Sequence, residues 1–343
     1  MQLFLKLMLE LASLTDLLAQ PRRIVITTHH KPDGDAMGSS LGLYNYLIQQ
    51  GHHAKVITPT DYPDFLAWLP GNEEVIIYTD NTELSAALVA DAELIFCLDF
   101  NTLSRINELG ELVRESEAFK IMIDHHLEPE DFDDYRHWDI NACATAQLVY
   151  DFIANKLYNK AMVNKDVATC LYTGIMTDSA SFRLPNTTSA VHRIAADLID
   201  AGAVNWRIHE LVYSNSSESR LRFLGHCLSE KLEVLHEFNT AIITVNEQEL
   251  EKYDVITGDT EGIVNYALSI TGIRLAAFIV ERTDKVKLSL RSRGDFPAND
   301  ICKKYFNGGG HRNAAGGVST DSLEEVIKQF KLILPEYKKL LIQ

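Results

Sequence analysis

The chain has 343 residues, and its 46% hydrophobic and 23% charged residues are typical of a globular protein with room for two cores. Its formal net charge of −16 disfavours extended binding to long DNA or RNA, because such binding needs clustered Lys and Arg that release counterions from phosphates. A short anionic substrate that is held by local positive charge and by metal is still compatible with this charge.

Five scattered cysteines without a C-x-x-C pair disfavour a disulfide framework and a zinc knuckle, and they favour the reducing cytoplasm. The first twenty residues are apolar but lack a basic start, and Glu10 and Asp16 interrupt them. We therefore predict an amphipathic helix there rather than a targeting segment. No apolar run approaches the ~18 uncharged residues of a membrane span, so no membrane association is predicted.

The first half alternates short β-rich apolar runs with helical patterns such as Ala36–Gln50. Such alternation predicts a parallel sheet with helices on both faces, and hence an α/β fold. The acidic segment Glu128–Asp139 is predicted to be a solvated loop. The predicted strands are Ile24–Thr28, Ala54–Thr58, Val75–Thr79, Leu94–Leu98 and Lys120–Ile123.

From Thr145 the pattern becomes mostly helical, and its last helix, Glu218–Leu235, is predicted to connect to a second α/β unit. That unit has predicted strands at Ala241–Val245, Ala276–Glu281 and Val286–Leu290, and it contains the glycine-rich stretch Gly308–Gly317. We predict a parallel-sheet domain over 1–214, a connecting helix over 215–237 and a smaller α/β domain over 238–343.

Asp and His residues lie at four separate places in the first half, each at the end of a predicted element. Ligands bind beyond the carboxyl ends of parallel strands, so these side chains are expected to meet. A single Asp after a strand is most often a turn residue or a helix cap, but four such places together predict one site. The residues are His29, Asp33 and Asp35 after the first strand, Asp99 after the fourth, Asp124, His125 and His126 at the fifth, and Asp178 at a helix end.

Asp33 and Asp35 flank Gly34, and alternate residues of an extended chain point the same way. Two carboxylates so close repel each other unless a cation lies between them. Carboxylates and imidazoles without cysteine predict a pair of divalent ions, and we favour manganese over magnesium, zinc or iron.

The second half carries a different kind of chemistry. Gly308, Gly309 and Gly310 can expose backbone N–H groups as an anion nest, and His311 follows them. Between Glu281 and Arg312, eight basic residues stand against four acidic ones, a local balance of +4 in an acidic protein. This pattern favours substrate binding over a glycine loop with solvated charges. Arg105 in the first half is either a phosphate contact or a surface helix residue.

The segment His29-x-x-Pro32-Asp33-Gly34-Asp35, followed by Asp124-His125-His126, resembles the DHH phosphoesterase superfamily. The stretch Asn307-Gly308-Gly309-Gly310-His311-x-x-Ala314-Ala315-Gly316 resembles the DHHA1 domain that accompanies it. The whole chain is most similar to the short bacterial NrnA group, whose members are oligoribonucleases and 3′,5′-bisphosphate nucleotide phosphatases. The resemblance implies metal-dependent hydrolysis of phosphate esters in a cleft between two domains.

The resemblance also implies a role for each matching residue. His29 and Asp33 would bind one ion, and Asp35, His125 and Asp178 would bind the other, while Asp99 bridges both. His126 would face the substrate phosphate and not the metal. In the second domain Ser289, Arg291 and His311, beside Gly309 and Gly310, would hold the phosphate or sugar of a nucleotide. His30 has no role in the family.

The predicted function is hydrolysis of short oligoribonucleotides, of 3′-phosphoadenosine 5′-phosphate (pAp), or of both. One alternative is a phosphodiesterase of cyclic dinucleotides or their linear products, and another is hydrolysis of pyrophosphate or polyphosphate. From a different class, the chain could be a nucleotide-binding sensor without turnover. Long duplex nucleic acid is not expected as a partner, and a homodimer is compatible with the sequence.

Overall fold

The structure is a computed structural model that describes residues 14–256 and 258–342. Most of the amphipathic helix predicted at the start of the chain therefore lies outside the described residues. The chain forms two compact units, one ending at Asn215 and the other beginning at Ser216, and each contains one six-stranded sheet. In the described part of the chain, no helix has both the length and the apolar character needed to cross a lipid bilayer.

The sheet of the first unit is entirely parallel, with the strand order β3-β2-β1-β4-β5-β6. All five strands predicted for this half are present, so the predicted parallel-sheet fold is confirmed. The strand order reverses between β1 and β4, and a crevice for ligands forms at such a switch point. The strands are β1 (Arg23–Thr28), β2 (His53–Thr58), β3 (Val75–Ile77), β4 (Leu94–Leu98), β5 (Phe119–Asp124) and β6 (Tyr135–Trp138).

Helices cover both faces of this sheet. Ile24 and Ile26 of β1 point into one core, while Val25 between them points into the core on the opposite face. Such a strand is apolar along its whole length, which is why the central strands have continuous runs of Ile, Val, Leu and Phe. The helices are α1 (Gly34–Gln49), α2 (Thr82–Asp91), α3 (Leu109–Glu115), α4 (Thr145–Asp151), α5 (Lys165–Asp178), α6 (Ser189–Asp200) and α7 (Asn205–Tyr213).

Helices α1 and α5 pack closely because glycine lies at their contact. A Cβ atom on Gly38 would lie 2.6 Å from the backbone oxygen of Cys170, and one on Gly174 would lie 2.8 Å from Oδ1 of Asp35. Both distances are far below van der Waals contact, so any side chain at either position would push the helices apart. The glycines therefore set the position of Asp35, on α1, and of Asp178, at the end of α5.

The second unit has a mixed sheet with the order β11-β12-β10-β9-β8-β7, in which only β8 and β9 pair in parallel. Its strands are β7 (Leu232–Leu235), β8 (Thr240–Val245), β9 (Leu275–Arg282), β10 (Lys285–Ser292), β11 (Gly309–His311) and β12 (Ala314–Ser319). Its helices are α8 (Glu218–Ser229), α9 (Glu247–Lys252), α10 (Ile263–Leu268), α11 (Ala298–Tyr305) and α12 (Leu323–Leu341). The predicted smaller α/β unit is thus confirmed.

Two predicted elements are wrong in part. The helix predicted over Glu218–Leu235 ends at Ser229, and Leu232–Leu235 forms strand β7, whose Leu232 and Val234 pack on the core beneath α8. The acidic segment Glu128–Asp139 is not only a loop, because Tyr135–Trp138 adds strand β6 to the sheet edge and buries Tyr135. In both cases the pairing with a neighbouring strand decided the conformation.

Candidate metal centre

The switch point between β1 and β4 brings His29 and Asp99 together. His29 directly follows β1, and its Nε2 lies 3.4 Å from Oδ2 of Asp99, which directly follows β4. Asp99 has a φ of +64°, a left-handed conformation that is strained for a residue with a side chain. Its backbone N–H donates to the Ile123 oxygen of the neighbouring strand, at 3.1 Å. The sheet therefore holds Asp99 in a conformation that it would rarely adopt alone.

The loop after β1 places Asp33 and Asp35 on different partners. Asp33 caps helix α1, and its Oδ1 accepts from the backbone N–H groups of Asp35 and Ala36 at 3.0 and 3.1 Å. Asp33 is extended, but Gly34 and Asp35 lie in the first turn of α1, so the extended chain expected across all three residues is wrong beyond Asp33. The Asp35 carboxylate accepts from the N–H groups of Thr145 and Ala146 at 2.6 and 2.9 Å, at the start of α4.

Two clusters of predicted ligands meet at Asp99. The first contains His29, Asp33 and Asp99, with 3.9 Å between Nε2 of His29 and Oδ1 of Asp33. The second contains Asp35, Asp99 and His125. Nε2 of His125 lies 4.0 Å from Oδ2 of Asp35, 3.6 Å from Oδ1 of Asp99 and 3.5 Å from Oδ2 of Asp178. Asp99 thus presents one oxygen to each cluster, and all six predicted ligands lie together.

Backbone carbonyls orient the two imidazoles of these clusters. Nδ1 of His29 donates to the His30 oxygen at 2.9 Å, and Nδ1 of His125 donates to the Ala142 oxygen at 3.1 Å. In each ring the proton on Nδ1 leaves Nε2, which faces the carboxylates, as the nitrogen that can bind a cation. A hydrogen bond of this kind is the usual partner of a histidine that binds metal.

The charge of this site calls for cations. Burial, with Asp99 and Asp178 adding to it, raises the pKa of Asp35 well above its usual range. Burial also acts to raise the pKa of Asp99, but hydrogen bonds from His125 and His29 outweigh it and hold that pKa well below its usual range. Burial lowers the pKa of His125, yet Asp99 and Asp178 raise it well above the usual value. Protons thus collect where four carboxylates converge, so a donor set of this kind fits divalent cations, which displace such protons.

His126 hydrogen-bonds to Asp124, which is not a predicted ligand, while its Nδ1 also lies 3.7 Å from Oδ1 of Asp99. Its Nδ1 donates to Oδ1 of Asp124 at 2.7 Å, and its ring stands at 80° to that of His125. Asp124 is fully buried, and within the described residues its second carboxylate oxygen has no hydrogen-bond partner. The bond to Asp124 fixes Nδ1 as a donor, so a contact of His126 with a substrate would use Nε2.

Two residues to which the sequence analysis gave no role of their own support the site. Thr145 donates through its backbone N–H to Asp35 and through Oγ1 to Oδ1 of Asp99, the latter at 2.9 Å. Asp124 orients His126 as described above. The position of Asp124 in the Asp-His-His triplet was a signal that could have found it, whereas Thr145 has no sequence motif of its own.

Arg105 and His30 link the loops that follow β4 and β1. The backbone oxygen of Arg105 accepts from the backbone N–H of His30 at 2.8 Å and from Nδ1 of His30 at 3.0 Å. Arg105 lies in the single 3₁₀ turn Leu103–Ile106 and is half-buried. His30 is exposed and belongs to neither ligand cluster within the described residues, so it joins two loops beside the site.

In the second unit, the predicted substrate residues share one corner of the sheet. Ser289 and Arg291 are alternate residues of β10 and therefore lie on the same face, opposite the buried Leu288 and Leu290. Across the sheet, Arg291 pairs with Ala314 of β12, which in turn pairs with His311 of β11. Ser289 and Arg291 on β10 and His311 on β11 thus lie on the two strands that flank β12.

Glycine leaves this corner of the sheet free of side chains. Gly316 lies between Ser289 and Gly309 in the register, and a Cβ atom there would meet only the Leu288 oxygen, at 3.8 Å. Gly310 has a φ of +129°, a conformation that side chains rarely adopt. The glycine stretch is a β-hairpin and not the predicted anion nest, because successive N–H groups of a strand point in opposite directions.

The DHH family N-terminal domain matches residues 23–175, and the DHHA1 domain matches residues 239–336. Fold and site together define the class as a DHH phosphoesterase, a hydrolase of ester bonds. The bifunctional oligoribonuclease and PAP phosphatase NrnA of Thermus thermophilus is 36% identical over 295 residues, which are 85% of this chain and 83% of that protein. This chain belongs to the NrnA family of DHH–DHHA1 proteins.

Two further comparisons extend this result. The crystal structure of an exopolyphosphatase-related protein from Bacteroides fragilis matches 98% of each chain, with a TM-score of 0.93 and 40% identity. The cyclic-di-AMP phosphodiesterase PdeA of Listeria monocytogenes is 26% identical over 95% of this chain, but the match covers 49% of PdeA. The similarity to NrnA is therefore the higher of the two and covers most of both proteins.

Proposed function

We propose that this protein hydrolyses short oligoribonucleotides and dephosphorylates pAp. One observation carries the proposal: Asp99 presents its two oxygens to two separate groups of buried histidine and carboxylate ligands. That arrangement suits a pair of cations that share one carboxylate, which is a recurring device for phosphate ester hydrolysis. The names of the NrnA relatives supply the substrates.

We propose that manganese occupies both positions. His29, Asp33 and Asp99 would hold one ion, and Asp35, Asp99, His125 and Asp178 would hold the other. Bound divalent ions supply Lewis-acid charge to phosphoryl oxygens and make a bound water more acidic. The mixture of carboxylate and imidazole without thiolate supports manganese over a softer metal.

Residues around the two proposed metal positions would orient the reacting phosphate. His126 would face a phosphoryl oxygen with Nε2, because Nδ1 is held by Asp124 at 2.7 Å. Donation from Nε2 uses the imidazolium form, in which both ring nitrogens carry a proton. A fixed donor of this kind stabilises the charge that grows on the phosphoryl group in the transition state. Thr145 would keep Asp35 and Asp99 in place while the charge on the substrate changes. Arg105, beside the loop after β1, is a further candidate phosphate contact.

The second unit would hold the part of the substrate that does not react. Ser289 and Arg291 on β10 and His311 on β11 flank strand β12, around the surface that Gly309, Gly310 and Gly316 leave free of side chains. A guanidinium and an imidazole on one corner of a sheet suit a terminal phosphate or a sugar hydroxyl. The small size of the group supports one or two nucleotides as the bound length.

We also propose that the protein acts in the cytoplasm. All five cysteines are free and buried, and burial raises the pKa of each of the five thiols. Buried neutral thiols are compatible with a reducing compartment, where disulfides do not form. Whether two copies form a homodimer is decided by measuring the mass of the protein in solution.

The test is one panel of substrates with the purified protein and Mn²⁺. We expect pAp and RNA dinucleotides to be hydrolysed with much higher kcat/KM than a cyclic dinucleotide, pyrophosphate or a long oligomer. Hydrolysis of the cyclic dinucleotide alone would replace this proposal with the phosphodiesterase alternative. Binding of pAp without release of phosphate would instead identify a sensor. The Asp99→Ala variant, assayed in parallel, controls for contaminating phosphatases.

A further inference from the structure

An exposed tryptophan is bonded directly to the backbone of His126. Trp138 ends the edge strand β6, and 38% of its surface is exposed. Its indole N–H donates to the His126 carbonyl oxygen at 2.7 Å. The proposed function above uses the side chain of His126 but assigns nothing to this ring. One hydrogen bond therefore joins the ring to the residue whose side chain would contact the phosphate.

The sheet and the hydrogen bond together fix the orientation of the ring. Trp138 pairs with Asp124 in the ladder between β6 and β5, and the next N–H, of Asp139, donates to the Asp124 oxygen at 3.3 Å. An exposed tryptophan usually loses side-chain freedom when it binds a ligand. Here the polar end of the ring is already held, so less entropy is lost on binding.

The ring faces an open groove that has no net charge. The groove has a volume of about 720 Å³, and its walls come from β6, α4, α6 and the chain between α4 and α5. Three cationic side chains and three carboxylates line it, and these are Lys156, Lys160, Arg193, Asp139, Asp151 and Asp197. Lys160 pairs with Asp197 at 2.7 Å, and His137 pairs with Asp151 at 3.1 Å. Such walls do not attract a chain of phosphates, so the ring itself is the feature that can recognise a ligand.

We propose that Trp138 forms a base-stacking subsite beside the metal centre. The base that stacks on Trp138 would belong to the nucleotide whose phosphate lies at His126. Only one sugar separates a base from its phosphate, so the two groups bind close together. Stacking on an aromatic ring accepts every base, which suits an enzyme for short RNA of any sequence. This inference rests on the proposed function, because it assumes a nucleotide substrate.

The experiment separates the ring from the rest of the side chain. Trp138→Phe keeps an aromatic face but loses the N–H, and Trp138→Leu keeps apolar bulk without an aromatic face. Each variant is assayed with an RNA dinucleotide and with two analogues that lack either the 5′ or the 3′ base. We expect Trp138→Leu to lower kcat/KM for the dinucleotide by about 5- to 150-fold, the range that loss of one base stack corresponds to. Trp138→Phe should avoid most of that loss, because it keeps an aromatic face for the base to stack on.

The abasic analogues decide the result. For one of them, Trp138→Leu and the wild type should have the same kcat/KM, because the stacked base is already missing. A loss that is equal for all three substrates would overturn the proposal, since Trp138 would then act only on the His126 backbone. The proposal would also be overturned if Trp138→Phe and Trp138→Leu had equal kcat/KM for the dinucleotide, or if Trp138→Leu lost no activity. Failure of the wild type to cleave any dinucleotide would instead contradict the proposed function.

Trp206 provides the matched control. It is 65% exposed on helix α7 and does not line the groove beside Trp138. Trp206→Leu removes the same kind of exposed ring. Because this ring does not line the groove, the change should leave kcat/KM for all three substrates unchanged. Thermal melting of each variant checks that the replacement of Trp138 has not unfolded the edge strand.

Discussion

The candidate residues of the two units are held in different ways. In the first unit, Asp35, Asp99 and His125 are at most 4% exposed. Thr145 donates hydrogen bonds to both Asp35 and Asp99, and His125 donates one to the Ala142 oxygen. In the second unit, Ser289 and Arg291 stand half-buried on a sheet corner that glycines keep free of bulk. Buried, hydrogen-bonded charges cannot rearrange when the substrate arrives, whereas side chains on an open face can.

This difference predicts two kinds of mutant. Changes in the first unit should remove chemistry, because fixed charge there acts on the reacting phosphate. Changes in the second unit should weaken ground-state binding and leave the chemical step intact. A first-unit variant that changes only KM, or a second-unit variant that changes only kcat, would contradict this difference between the units.

The largest effect is expected for Asp99→Ala. Asp99 contacts both ligand clusters, so its loss should release both ions and lower kcat by about 10³-fold or more. Asp99→Asn is the matched variant, since it keeps an acceptor for Thr145 but loses the charge. Metal analysis after dialysis gives the ion content per chain. An Asp99→Ala protein that still holds two ions per chain would show that Asp99 does not bridge them.

The adjacent histidines test whether a residue binds metal or substrate. We expect His125→Ala to lose metal, because its Nε2 faces three carboxylates. His126→Ala should keep its metal content and lose about 10²- to 10³-fold in kcat, the cost of removing one donor to the transition state. His30→Ala serves as the control, since His30 is exposed and bonds to a backbone oxygen. Equal metal content and equal rates in both variants would refute this division.

The next largest effect is expected for substitutions of the candidate substrate residues in the second unit. Arg291→Ala and His311→Ala should raise KM for pAp and dinucleotides by about 10-fold or more, as expected for loss of one charged hydrogen bond. Their kcat, their metal content and their hydrolysis of a small generic phosphodiester should stay unchanged. Arg293→Ala removes the same charge from an exposed position just beyond the end of β10, and it should change little.

The dependence of the rate on substrate length tests whether the binding group of the second unit is small. An oligomer of ten or more nucleotides would run over acidic surface and gain no counterion-release energy. We therefore expect kcat/KM to fall as length increases beyond two or three nucleotides. A rate that climbs with length would identify an exonuclease for long strands.

The sequence predicted most of the first unit because its signals are local. A strand followed by His29 or by Asp99 can be recognised without its neighbours, and the switch-point rule then brings the strand ends together. Trp138 could not be found in this way, because its strand Tyr135–Trp138 lies within an acidic segment and is defined by its pairing with β5. Leu232 was misassigned because its spacing from Leu228 fits a helix as well as it fits a strand. Thr145 becomes functional only through contacts with residues more than 40 positions away in the chain.

The smallest expected effect concerns the strained turn that follows the ligand Asp178. Ala180, Ser181 and Phe182 have φ values of +49°, +61° and +63°, three consecutive left-handed residues that each carry a side chain. A left-handed residue with a Cβ costs roughly 1–2 kcal/mol, and glycine removes that cost while adding about 0.4–1 kcal/mol of unfolded-state entropy. Ala180→Gly should therefore raise the free energy of unfolding by about 0.5–1 kcal/mol. The control is Ala196→Gly in the middle of helix α6, where glycine should lower it by about 1 kcal/mol. Denaturant unfolding of both variants measures the sign. If the turn serves only to place Asp178, as the rigid first unit suggests, Ala180→Gly should keep full activity as it gains stability. A stabilised variant with reduced kcat would show that the strain itself contributes to the geometry of the metal centre.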